Sequence, residues 1–235
     1  MHYIALWLEA PLQAWGVESK FNRRDTLPFP SKSGLLGIIL SAMGATGPQN
    51  ELLARLTKGS LTVVRFGKEK VVAPQLIDFH MVGSGYNDND AWENYMIPKT
   101  AEGKKPNGSG TKLTYRHYLQ DAYFGVVFSV NEDELAIKVS EYLQNPVFDV
   151  FLGRRCCVPT DIIWRGMYST YHDAEVKILQ IADAKGLKEL FKVQEGNNPE
   201  IGMVRMLNDV PIQFGEQKMY CDRFVTIITP ENQNA

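Results

Sequence analysis

The stretch TLPFPSKSGLLGIILSAMG, residues 26–44, decides how the rest of the chain is read. Pro28 and Pro30 hold the approach extended, because a proline disfavours the helical region for the residue before it. Ser31 or Ser33 then caps a helix that carries Lys32 in its first turn. From Leu35 to Met43 the apolar residues leave almost no polar face, so this helix is predicted to be buried. Its start combines free backbone N–H groups, serines, a lysine and the bare backbone of Gly34 and Gly37. Two readings fit that composition: a phosphate site at a helix N-terminus, or an ordinary cap whose glycines let neighbours pack close. No G-x-x-x-x-G-K-[ST] pattern occurs, so it is not a P-loop.

Upstream, Tyr3 to Leu8 reads as a buried first strand ended by Glu9-Ala10-Pro11. An apolar loop follows, Leu12 to Gly16, in which Trp15 either stacks on a base or plugs the end of the core. Downstream, Gly47-Pro48 closes the helix and Asn50 to Leu56 forms a second short one. Leu61 to Phe66 is a strand, and Val71 to Met81 is another, broken by Pro74. From Gly83 to Lys112 the residues are mostly Gly, Asn, Asp, Lys, Pro and Ser without periodicity, the mark of a functional or disordered loop. Leu113 to Leu119 alternates, and Tyr123 to Val130 is a strong strand. Asn131 caps a helix with Glu132, Asp133 and Glu134 in its first turn, where the dipole favours acid, and it runs to about Leu143.

That order predicts an α+β fold, the ferredoxin-like (RRM-like) βαββαβ plan with a long hairpin grown from the central strands. It fills residues 1–159, with the insertion at about 80–114. Residues 160–235 read as a smaller, β-rich C-terminal subdomain. Its short strands are Ile162–Trp164, Val176–Ile181 and Phe224–Thr229, with a helix near Ala184 to Phe191.

With 44% apolar and 11% aromatic residues the chain buries a core without metal or disulfide. A net charge of −2 disfavours a free-standing duplex-DNA binder but leaves room for a local basic groove. The three cysteines, Cys156, Cys157 and Cys221, are odd in number and include an adjacent pair, which suits a reduced, cytoplasmic protein. No Cys-x-x-Cys pair points to zinc, and nothing calls for a metal or cofactor. The N-terminus lacks a signal peptide's basic n-region and long apolar run. No apolar segment approaches the ~20 residues that span a bilayer, so no membrane partner is expected.

Basic and aromatic residues interleave in three places: Trp15 with Arg23 and Arg24, Tyr115-Arg116-His117-Tyr118, and Arg154-Arg155. That mixture suits single-stranded RNA, where arginines meet phosphates and rings stack on splayed bases. In an alternating strand Tyr115 and His117 face one way and Arg116 and Tyr118 the other, so the four do not share a surface. The alternative is a half-buried edge strand with solvated charges and an ordinary salt-bridged Gly-Arg-Arg turn.

Five stretches also carry a family resemblance: LWLEAPLQAWG (6–16), FPSKSGLLGIILSAMG (29–44), LIDFHMVG (76–83), TYRHYLQDAYF (114–124) and FLGRRCCVP (151–159). In this order they resemble the CasD family, the repeat-associated (RAMP superfamily) subunit of type I-E Cascade complexes in CRISPR antiviral defence. The resemblance implies a ferredoxin-like fold with a thumb hairpin, here the insertion. It implies a non-catalytic subunit that grips the repeat-derived 5′ handle of the CRISPR RNA and caps the backbone filament. The neighbours it implies are a CasC backbone subunit and the large CasA subunit, with target DNA met only indirectly. The RNA role falls on Lys32 and Ser33, on Lys112, Tyr115 and Arg116, and on Arg154 and Arg155. His80, at the start of the thumb, either contacts RNA or shapes the hairpin.

A catalytic alternative comes from the related type I-C subunit, which cuts precursor CRISPR RNA with a Tyr, Lys and His group and no metal. Here His117 would be the base and Lys112 or Arg116 the cation on the developing charge. Against it, His117 and Arg116 alternate to opposite faces. In type I-E systems, moreover, a separate subunit, CasE, does the processing.

Overall fold

The computed structural model describes residues 1–16, 23–68, 75–82, 89–92 and 112–230. Most of the insertion, with Lys99, Lys104 and Lys105, therefore lies outside the described residues, as does the Lys112 side chain.

Strand β1 (His2–Gln13) is buried from Ile4 through Leu8 because it has neighbours on both sides and packing on both faces. It runs through Pro11 rather than ending there. Ala10 pairs with Ala122 and Leu12 with Gln120, so the residue without an N–H faces Asp121, whose φ is +42°. A bridge, β2 (Arg23–Arg24), precedes α1 (Lys32–Ala42). Ser31 is the α1 N-cap, its Oγ accepting from the Gly34 N–H at 3.1 Å. Next come α2 (Asn50–Leu56), β3 (Leu61–Gly67) and β4 (Gln75–Val82).

The two strands expected around residues 113–130 are one, β5 (Lys112–Val130), continuous through Asp121. Helix α3 (Asp133–Gln144) is capped at Glu132 without a side-chain bond, not by Asn131. Strand β6 (Trp164–Tyr168), slightly later than expected, pairs with β1. Residues 176–181, expected as a strand, lie in helix α4 (Tyr171–Ala184). Of the expected helix near 184–191, Ala184 ends α4 and residues 188–191 open β7 (Lys188–Glu195), which is followed by β8 (Met203–Gln213) and β9 (Met219–Ile228).

The apolar run at 176–181 reads as strand only if the cap is overlooked. Thr170 Oγ1 accepts from the Asp173 N–H at 3.1 Å, and Ala174, Ile178 and Ala182 recur every fourth residue on one buried face. Thr170→Ala is expected to cost about 1 kcal/mol of stability, read as a lower urea midpoint at constant slope.

The strands form one sheet in the order β6-β1-β5-β3-β7-β9-β8, and the neighbours along that path are all antiparallel. The strands after residue 159 thus extend the same sheet. Alternation along β1 divides the core: Ile4, Leu6 and Leu8 face α1, α2 and α3, while Ala5 and Trp7 face α4. Gly125 lets α4 approach, since a Cβ there would lie 2.0 Å from Ile178 Cγ2. Among the described residues no helix is long and apolar enough to cross a membrane.

Candidate nucleic-acid interface

The first half of β5 carries β4 on one side, antiparallel, and β2 on the other, parallel. Register assigns the faces of this arm. Phe79 stands opposite Tyr115 and Ile77 opposite His117 on one face; Asp78 stands opposite Arg116 and Leu76 opposite Tyr118 on the other. On the first face Phe79 and Tyr115 are both exposed, their rings tilted 45° with centroids 5.2 Å apart. A large apolar pair left in water is a ready stacking surface.

On the second face Arg116 is partly exposed, and β2 brings the exposed Arg24 into register with it. Beside them lies Arg154, whose guanidinium sits 4.4 Å over the ring of Tyr118. Its Nη1 donates to the His117 carbonyl and its Nη2 to the Arg24 carbonyl, both at 2.9 Å. Arg154 therefore ties the arm to the 151–157 turn, while Arg155 next to it is exposed. The turn is held by Gly153, at φ +107°, where a Cβ would lie 1.9 Å from the Ala14 carbonyl oxygen. Burial is the main cause that pushes the Tyr118 hydroxyl pKa up, and the neighbouring Cys156 adds to it. His80 pairs with Asp78 at 2.5 Å, which fixes its ring along the strand.

His117 is buried. Its Nδ1 lies 3.3 Å from Gln75 Oε1 and its Nε2 3.3 Å from Asp25 Oδ1. Arg23 donates through Nε to the same Asp25 carboxylate at 2.8 Å, so its charge is balanced on the surface. Both ring nitrogens of His117 thus face partners inside the protein rather than the exposed surface of the arm.

Two expected RNA contacts lie inside the protein. Trp15 has no exposed surface; its Nε1 donates to Gln13 Oε1 at 3.1 Å, so it plugs the core. Lys32 is 3% exposed. Its ammonium donates to the Thr57 and Gly59 carbonyls at 3.0 and 2.7 Å and pairs with Glu195 at 2.9 Å. Its backbone N–H donates to Asp209 Oδ2 at 2.7 Å. The start of α1 thus already holds an anion, an internal carboxylate, which replaces the phosphate reading. Ser33 is partly exposed, its Oγ 3.3 Å from Ser31 Oγ.

The carboxylates of this interior network are shared with Arg223, which donates to both oxygens of Asp209 at 2.6 and 2.8 Å and to Glu195 at 2.6 Å. Burial lowers the Lys32 pKa, only partly opposed by Glu195. Burial also works against the Arg223 charge, but Asp209 and Glu195 outweigh it and hold its pKa above the ordinary value. A second interior cation, Arg65, was not evident in the sequence. Its Nη1 donates to the Pro28 carbonyl at 3.1 Å beneath the approach to α1, and burial lowers its pKa to about 10. Phe79 was also not evident, although His80 beside it was, because only its pairing with Tyr115 brings it to the site.

Comparison with known proteins follows the same lines. Residues 3–222 match the family described as "CRISPR-associated protein (Cas_Cas5)". The CRISPR system Cascade subunit CasD of Escherichia coli (strain K12) is 29% identical over 171 residues, 70% of each chain. A chain of a solved CRISPR RNA-guided surveillance complex superposes with a TM-score of 0.70 at 25% identity, covering 97% of this chain and 89% of that one. A crystal structure of a Cas protein shares the fold, with a TM-score of 0.58 at 22% identity over 98% and 96% of the two chains.

Proposed function

This chain belongs to the Cas5 family of CRISPR-associated proteins, and from that membership we infer that it is a non-catalytic RNA-binding subunit of a Cascade-type surveillance complex. The observation that carries the reading is the arm. It places the exposed Phe79–Tyr115 ring pair on one face and Arg24 and Arg116 on the other, beside the Arg154-Arg155 turn. Rings for unstacked bases and guanidinium groups for phosphates on one projecting strand pair suit a single strand threaded along it.

The strand order β6-β1-β5-β3, with α1 and α3 packed on one face, supports a ferredoxin-like core for this subunit. By the same likeness, the RNA is the 5′ handle of a CRISPR RNA, the neighbours are CasC- and CasA-type subunits, and the complex works in the cytoplasm. The buried, doubly engaged His117 favours binding over cleavage. Wild-type protein incubated in EDTA with labelled repeat RNA is expected to leave it intact. A discrete product lost in His117→Ala would make the chain a processing nuclease.

The binding test is the salt dependence of affinity. Arg24→Ala combined with Arg116→Ala is expected to reduce the slope of log K against log salt by about 1.4, at about 0.7 per lost single-strand phosphate contact. The same substitutions leave thermal stability nearly unchanged, because neither side chain has a partner among the described residues. An unchanged slope would place the RNA elsewhere on the molecule.

A further inference from the structure

Beside the Gly153 turn lies a cavity of about 540 Å³, lined by Ser41, Phe148, Asp149, Phe151 and Arg155. Both of its walls are fixed. On one side the Leu152 N–H donates to Cys157 O and the Cys157 N–H to Arg154 O, both at 2.8 Å, and Leu152 O accepts from the Ala14 N–H at 3.0 Å. On the other, the Val147 N–H donates to Ala42 O at 2.8 Å and Ser41 Oγ donates to Asp149 O at 3.3 Å. The cavity is thus held between the end of β1 and the end of α1. Within it Phe148 is 47% exposed, and the exposed Arg155 forms no ion pair or hydrogen bond with the described residues.

We propose that this cavity is a subsite for one unstacked nucleobase of single-stranded RNA, stacked on Phe148, with the adjoining phosphate on Arg155. The proposal rests on the RNA-binding reading above and adds a place where a base is read. Continuity favours a nucleotide over a protein side chain. Arg154 reaches from this turn to the carbonyls of Arg24 and His117, so the turn that lines the cavity also borders the arm. The lining favours it too, since aromatic walls give every base a stacking surface and Arg155 gives its phosphate a planar donor fork. The Asp149 carboxylate accepts hydrogen bonds but donates none, so the subsite favours bases that present N–H donors, guanine above all, with adjacent N1–H and N2–H groups.

The test measures binding of a labelled single-stranded oligoribonucleotide of the repeat to the full-length chain at fixed salt. Phe148→Ala is expected to weaken binding about 5- to 150-fold, the loss of one base–aromatic stack, with the salt slope unchanged. Phe148→Trp keeps the stack and is expected to bind as wild type does. Arg155→Ala is expected to lower the slope by about 0.7. Phe148 is half-exposed, so neither variant endangers the fold. Wild-type affinity in Phe148→Ala, with weakened binding in the Arg24/Arg116 variant, overturns the subsite and leaves the RNA reading standing. If neither variant weakens binding, both fail. Unchanged RNA affinity with weakened capture of a neighbouring subunit assigns the cavity to a protein side chain and also overturns the proposal.

Discussion

Asp209→Ala is expected to destabilise the fold by about 3–5 kcal/mol, the range for removing one partner of a buried charge pair. Asp209 is 1% exposed and lies where three donors converge: the Lys32 N–H of α1 and two guanidinium nitrogens of Arg223. Its loss leaves Arg223 balanced only by Glu195, which Lys32 already shares, and leaves the first N–H of α1 without an acceptor. Against a typical total of about 5–15 kcal/mol, that loss takes a large part of the stability. Asp209→Asn keeps an acceptor and the shape but not the charge, so its urea midpoint is expected between wild type and alanine. A loss under about 1 kcal/mol in the alanine variant would mean that water replaces the carboxylate and that the network is not sealed.

The second large effect is expected from Gly153→Ala. The left-handed backbone costs an L-residue roughly 1–2 kcal/mol, and forcing a methyl into a packed position costs roughly 1–3 more. Here the obstacle is backbone, the Ala14 carbonyl at 1.9 Å, which cannot swing aside as a side chain would. The turn must move, and with it Arg154's hold on the His117 and Arg24 carbonyls. Melting temperature and RNA affinity are therefore expected to fall together. Gly37→Ala is the control. Nothing lies within 4 Å of its Cβ position in α1, so it is expected to stabilise by about 0.5–1 kcal/mol. A Gly153→Ala protein as stable as wild type would show that the 151–157 turn is not fixed against β1.

Local patterns carried most of the fold. The Pro-Phe-Pro approach, the Ser31 cap and the unbroken apolar run from Leu35 are enough to place α1, and the apolar content of Leu61 to Phe66 is enough to place β3. Both signals are local, because capping and burial patterning act within a few residues. The same locality explains the errors after residue 159. There an apolar run within 176–181 does not by itself distinguish a strand from a helix face, and α4 declares itself only through Thr170 and the Ala174-Ile178-Ala182 spacing.

Alternation in Tyr115-Arg116-His117-Tyr118 likewise determined which side chains share a face, because strand periodicity is set by the backbone. What sequence could not settle was which polar groups would be left for a ligand. Lys32, Ser31 and Gly34 have the composition of an anion site, and composition is silent on whether an anion arrives from within. The fold brings Asp209 to the α1 start from 177 residues away and sets Glu195 against the Lys32 ammonium, so the charges satisfy one another before any phosphate approaches. Trp15 is closed off in the same way by α1 packing over it at Gly34. Availability is a property of the whole tertiary contact set: a side-chain donor is open to a ligand only where no distant part of the chain engages it, as for the guanidinium groups of Arg24, Arg116 and Arg155 among the described residues.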